Sequence, residues 1–388
     1  GIPVVKIKNV NNRVVELSEV QYFPETKVSD KHTKFFLEDK DVLIAMTGQG
    51  SVGRVGRISL SADEKVLLNQ RVGKFVSDEK NINQDYLYYV LSSPMYEQIL
   101  FDAGTGSGQP NLSPKLILQT EIPLPPYDVQ VEIGKILSYL DEKIKLNQKM
   151  NQTLEKIGQA IFKHWFVHFE FPNKEGKPYK SSGGEMVDSE LGEIPKGWEL
   201  VSVADAVEIN PKLKVNRDIE KIHVPMTGLS KNSMIITQFE VRTGSSGAKF
   251  QNYDTLFARI TPSAEHGKTG FVQFLKTNDE VAIGSTELIV MRSRTVNPFF
   301  VYCLARYEKL RKHAINSMTG TSGRQRVQND CFNNFFIAQP DETTLFGFEK
   351  FMKPIFQKIE ILNKENQNLS MMRDSLLPKL MSGKIRVK

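Results

Sequence analysis

Cysteine is nearly absent, with Cys303 and Cys331 the only two in 388 residues. That excludes a disulfide framework and a thiolate zinc cage, and it points to a reducing, cytoplasmic setting. Long apolar runs are missing as well. None approaches the ~18 residues that a membrane helix needs, so no membrane partner is expected. The opening, GIPVVKIKNV, has the pattern of neither a signal peptide nor a transit peptide. No initiator methionine stands at position 1, so the first domain is expected to lack its opening strand. Charge of one sign is only mildly in excess, at a formal net of +6. Such a balance permits a polyanionic partner without requiring one. With 40% hydrophobic and 25% charged residues, the chain has room for two ordinary cores.

Catalytic signatures are missing too. There is no glycine-rich strand-to-helix cofactor fingerprint and no phosphate loop ending in Gly-Lys-Ser/Thr. Asn297-Pro298-Phe299-Phe300 superficially resembles the Asn/Asp-Pro-Pro-aromatic motif of amino-methyltransferases, but the second proline is absent. It reads better as a helix start, with Asn297 as cap and Pro298 in the first position. His164 and His168 have the spacing of two zinc ligands on a helix, without a third ligand or an intervening Glu. The neighbouring Trp165, Phe166 and Phe169 favour a packed helix end. Glu175-Gly176-Lys177 reads as a solvated loop. The expectation is a chain without catalytic residues, metal site or cofactor of its own.

What is present is a duplication. From about Asp41 to Ile161, and again from about Asp254 to Leu376, the same landmarks recur in order. They are a glycine loop (Gly50 to Gly53, Gly267 to Gly270), a strand-like run holding Asn69-Gln70 or Ser285-Thr286, and an Asn-initiated aromatic helix at Asn83 or Asn297. A small-polar loop and a long helix with an Asn-Gln pair complete each copy. The offset is 215 residues at Asn151 and Asn366, too long for a solenoid repeat.

The fold class that follows is α+β: two similar mixed α/β domains with two long helices. Residues 1–128 form the first domain, with one helix near Asp85 to Leu100, closed by Ile122-Pro-Leu-Pro-Pro126. Residues 129–171 form a central helical spacer, and the Pro-, Gly-, Ser- and Lys-rich residues 172–197 a linker. Residues 198–340 form the second domain and 341–388 a closing helical spacer.

Both helical stretches show three-four apolar spacing, as a coiled-coil seam does. Asn151 falls between Ile144 and Leu154, and Asn366 between Ile359 and Leu369. Either these asparagines face solvent, or they sit in an antiparallel seam and fix its register, related by a pseudo-twofold axis. A paired stretch of ~30 residues at ~1.5 Å per residue would be about 45 Å long. That length matches about 13 base pairs at ~3.4 Å each.

Two loops in each copy combine glycine with side chains suited to nucleic acid. In the first copy these are Gln49, Ser51, Arg54 and Arg57, then Thr105, Ser107, Gln109 and Asn111. The second offers Arg259, Thr261, His266 and Lys268, then Ser322, Arg324, Gln325 and Arg326. Arg reads guanine edges, Gln and Asn read adenine, and Ser, Thr and Lys grip phosphates. The plainer alternative is that these are surface turns whose glycines serve geometry alone.

The duplicated plan, the loop GTGSGQPNLS from Gly104, and the run IGSTELIVMR from Ile283 resemble the DNA-specificity subunits of type I restriction–modification systems. So do the helix ends IFKHWFVHFEFP from Ile161 and SLLPKLMSGKI from Ser375, and LGEIPKGW from Leu191. The resemblance implies two target-recognition domains reading the halves of a split double-stranded DNA site across the helical spacer. It also implies partners: methyltransferase subunits, two per chain, docked on the helices with Trp165 and Phe166 as contacts, and a restriction/translocase subunit. S-adenosylmethionine, ATP and Mg2+ would belong to those partners. A protein-binding scaffold using the long helices alone is the alternative.

Overall fold

The computed structural model describes residues 1–105, 110–321 and 323–387. The fold is α+β, in two compact units: Gly1–Ile144 with Gln367–Lys388, and Lys145–Asn366. Two continuous helices of 40 residues, Tyr127–Phe166 (the central helix) and Glu342–Met381 (the closing helix), each contribute to both units.

In the first unit, Ile2–Val5 runs antiparallel to Gln21–Phe23 and parallel to Leu67–Leu68. A second sheet orders its strands Val10–Asn11, Arg13–Val15, Val55–Arg57, Val42–Ala45, Val72–Phe75. The period-two geometry of a strand sends successive side chains to opposite faces. Leu43 and Ala45 accordingly enter one core with Val5 and Val10, while Val42 and Ile44 enter another with Tyr86, Ile133 and Leu137. Leu377 and Leu380 of the closing helix complete that second core.

The second unit repeats the plan. Lys221–Val224 lies between Glu240–Arg242 and Ala282–Gly284, with Ala248–Phe250 beyond. The other sheet orders Val207–Ile209, Leu288–Ser293, Thr255–Ala258, Thr269–Phe271. The same backbone bond marks both copies: Asn69 N donates to Val5 O, and Ser285 N to Val224 O, each at 3.0 Å. Strand pairing corrects one sequence landmark. Gly53 and Gly56, rather than Gly50 and Gly53, are the partners of Gly267 and Gly270. Gly53 and Gly267 both have left-handed φ, +84° and +78°, at the entry to the second hairpin strand. A Cβ on Gly53 would come within 2.7 Å of Phe101 N.

The aromatic helices are capped alike. Asn83 Oδ1 accepts from Tyr86 N at 3.1 Å, and Asn297 Oδ1 from Phe300 N at 2.9 Å. Two other expectations change. The single helix near Asp85 to Leu100 is two helices, Gln84–Leu91 and Pro94–Gly104. Pro94 has no N–H to continue a helix, and Ser93 Oγ caps the new one through Tyr96 N. The segment read as a linker is ordered: Met186–Val187 pairs with Ile194–Pro195, and Ile194 is buried. Phe171 stacks between Tyr179 and Trp198, at 4.6 and 4.9 Å, holding that segment to the core despite its polar composition.

Within the second unit the two long helices run antiparallel, as three contacts establish. Asn147 Nδ2 donates to Asn366 Oδ1 at 2.9 Å, Gly158 faces Met352, and the Trp165 ring lies 5.9 Å from Phe348. Within the first, Arg373 Nη1 meets Asp141 Oδ1 at 2.6 Å. Asn151 and Ile359 are buried here, whereas Ile144, Leu154, Asn366 and Leu369 are half-buried. The residue that pairs across the seam with Asn366 is Asn147, which the sequence reading passed over.

Asn147 Oδ1 and both polar side-chain atoms of Asn151 are buried without a protein partner. Each unpaired buried polar group costs about 1–3 kcal/mol, in exchange for a fixed register. The double variant Asn147→Leu/Asn151→Leu should therefore raise the denaturant midpoint of unfolding. A lower midpoint would show that the polar layer is net stabilising as built.

Candidate nucleic-acid interface

In each copy the two glycine-bearing loops meet. Leu112 N donates to Met46 O at 2.8 Å, and Thr47 and Asn111 form an antiparallel bridge. At the matching place in the second copy, Val327 N donates to Arg259 O at 2.8 Å, and Ile260 bridges Arg326. Here the contact is reinforced. Arg259 Nη2 donates to Val327 O at 2.9 Å, Thr261 N to Gln325 O at 3.0 Å, and Gln325 N to Thr261 Oγ1 at 3.1 Å. Loop residues tied this way hold a fixed backbone while their side chains remain free to differ. The positions do differ: Asn111 in one copy is Arg326 in the other, and Met46 is Arg259.

Around that junction Gln49 and Asn111 are exposed, and Ser51, Arg54 and Thr105 are half-buried. Arg54 Nη1 donates to Asn11 Oδ1 at 3.2 Å, and Thr105 Oγ1 to Asp102 O at 3.1 Å. In the second copy His266 and Arg324 are exposed, and Lys268 Nζ reaches Met226 O at 3.4 Å. Ser107, Gln109 and Ser322 lie outside the described residues.

Residues 1–156 match the family model of the type I restriction modification DNA specificity domain. The type I restriction enzyme MjaIX specificity subunit of Methanocaldococcus jannaschii is 29% identical over 356 residues, covering 89% of this chain and 78% of that one. The HindI specificity subunit of Haemophilus influenzae is 24% identical over 371 residues, 80% of either chain. Over most of its length the chain is similar to the specificity subunits of type I restriction enzymes, and its first 156 residues match their DNA specificity domain. The solved S subunit of such a system from M. genitalium shares the fold, with a TM-score of 0.50 at 13% identity over 93% of this chain and 91% of that one.

Several residues of this chain take roles other than those read from sequence. Arg57 is a packing residue: Nη2 lies 2.8 Å from Asp85 Oδ1, and its guanidinium sits 3.9 Å over the Tyr88 ring. Engaged on two sides, it is not free to read a base. Arg326 forks onto Glu287, with Nη2 2.7 Å from Oε1 and Nε 2.9 Å from Oε2. Such a bidentate pair spends the donors that guanine would need. Arg324, two residues earlier, has no side-chain partner among the described residues, which leaves it the accessible cation of that loop.

The largest correction concerns Trp165 and Phe166, placed by the sequence reading on a partner surface. They are only 7% and 8% exposed. Phe166 lies edge-on to Phe300 and Phe348, each 4.8 Å away, and Trp165 packs on Phe348 and Phe351. Nearly three turns earlier on the central helix, Glu155 accepts from Met234 N, Ser233 Oγ and Tyr302 Oη at 2.8, 2.9 and 2.9 Å. Burial pushes the Glu155 carboxyl above its ordinary range even so, and it pushes Tyr302 far higher.

Sequence reasoning also missed two adjoining cavities of the second unit, of about 400 and 450 Å³, which share Gly247 and Thr286. Arg259 lines the second of them. The signal was the glycine run at Gly244 and Gly247, both at left-handed φ.

A core role for Trp165 has a measurable consequence. Trp165→Ala should destabilise the chain by about 3–5 kcal/mol, visible in chemical denaturation. Unchanged stability would return this residue to the surface.

Proposed function

We propose that this specificity subunit reads a bipartite DNA site, one copy of the duplicated domain on each half, with the two long helices setting the unread spacer. One observation carries the reading: in each copy, the two loops chosen for their side chains are hydrogen-bonded to each other at equivalent positions, yet present different residues. That is what two readers of different short sequences need, since base-edge contacts specify while scaffold contacts only position. The continuous helices of 40 residues support the spacer role.

In this reading the chain supplies no chemistry. S-adenosylmethionine, ATP and Mg2+ belong to adenine methyltransferase subunits and to a restriction subunit that assemble with it. The methyltransferase subunits dock on the helices. Phe346 and Phe351, 63% and 56% exposed on the closing helix, are better contacts than the buried Trp165 and Phe166. Large apolar groups held in water mark association surfaces.

Two experiments test DNA reading on the chain assembled with its methyltransferase. Arg324→Ala should weaken binding to the cognate site by about 1–3 kcal/mol without altering the unfolding midpoint. Unchanged binding would remove that loop from the interface. Exchanging residues 198–340 for the same span of a relative should change one half of the methylated motif, mapped by single-molecule sequencing of host adenines. A change in both halves would contradict modular reading. A protein-binding scaffold on the helices alone would show no specific DNA binding, and so none of the steep loss with salt that phosphate contacts impose.

A further inference from the structure

The two adjoining cavities of the second unit form a groove whose chemistry is unlike that of the reading loops. It starts beside His223 and Arg242, passes Gly247 and Thr286, and reaches Arg259 and Lys212. Its passage depends on glycine. A Cβ on Gly247 would fall 1.9 Å from Gly284 O, so any side chain there would force the two strands apart. No carboxylate lines either cavity among the described residues. Among the described residues Arg242 is the one lining cation in an ion pair, its Nε donating to Glu240 Oε2 at 2.7 Å.

Several of the remaining polar groups are unspent. Lys212 and Lys249 form no ion pair, and the hydroxyls of Thr243, Ser246 and Thr286 have no hydrogen bond, among the described residues. Arg259 Nε is buried without a partner. The groove's one carboxamide, Asn210, is already engaged, accepting from Val290 N at 3.0 Å. Ammonium groups on flexible stems and short hydroxyls grip phosphate oxygens without regard to sequence, whereas base edges call for planar, paired donors and acceptors.

We propose that this groove holds the phosphodiester backbone of the DNA beside the bases read at the Arg259 junction. It therefore acts as a positioning site peculiar to the second domain. The assignment rests on the DNA-reading function proposed above. At the matching strand positions of the first unit, Val4 and Phe23 stand where His223 and Arg242 stand here, so the first half-site is gripped differently.

The test uses the chain assembled with its methyltransferase and two 30-base-pair duplexes, one carrying the motif methylated in the host and one scrambled. Lys212→Gln with Lys249→Gln removes two charges and keeps both stems. Affinity for both duplexes should fall by a similar factor, about 10-fold, and the slope of log affinity against log salt should flatten by about 2. Unchanged affinity and slope, with Arg324→Ala still weakening the motif duplex, would empty the groove and leave the reading function standing. A loss confined to the motif duplex would make it a base-reading site and overturn the proposal. If Arg324→Ala and the domain exchange also leave DNA binding untouched, the reading function falls and the groove with it. Thermal melting of the variant guards against misfolding, and Lys212 is exposed.

Discussion

One backbone hydrogen bond recurs where each copy needs it: Leu112 N to Met46 O, and Val327 N to Arg259 O, both 2.8 Å. It joins the loop leaving the first hairpin strand to a loop about 65 residues later in the chain. Without it, two glycine-rich segments would each be free to move, and side chains on them would meet a ligand only at a large cost in ordering. Because the tie is main chain to main chain, it survives any exchange of side chains around it. A duplicated domain can then diverge in what it contacts while keeping how it is built.

The tie is held in turn by the cores beneath it. Alternating strand residues feed two apolar layers in each unit, and the aromatic helix caps one of them. In both units a tyrosine of that helix donates to a carboxylate on the central helix: Tyr89 to Asp141 at 2.9 Å, and Tyr302 to Glu155 at 2.9 Å. Glu155 is the more demanding case. Its burial disfavours the charged form, and three donors around it offset part of that penalty. An ionisable group so placed specifies one docking of helix on sheet, because any slip would leave the carboxylate buried and unpaired.

Arg57 and Arg326 illustrate how charge is divided between building and binding. Both stood among residues suited to DNA, yet each guanidinium is bound within the fold, to Asp85 or to Glu287. Among the described residues, cations without side-chain partners include Arg324 and, along the groove, Lys212 and Lys249. Composition counts all of these alike. Only the placement of acidic neighbours tells which cations remain for a polyanion.

The sequence alone determined the duplication, the α+β class, the two long helices and the Asn83 and Asn297 caps, because these follow from local order: periodicity, capping chemistry and the spacing of landmarks. Tertiary structure decided what depends on residues far apart in the chain. It paired Asn147 with Asn366, buried Trp165 and Phe166 under Phe348, folded residues 172–197 onto Trp198, and opened a groove that runs past Gly247 and Thr286. Burial and partner choice are set by the packing of distant segments, and no window along the chain contains both sides of such a contact.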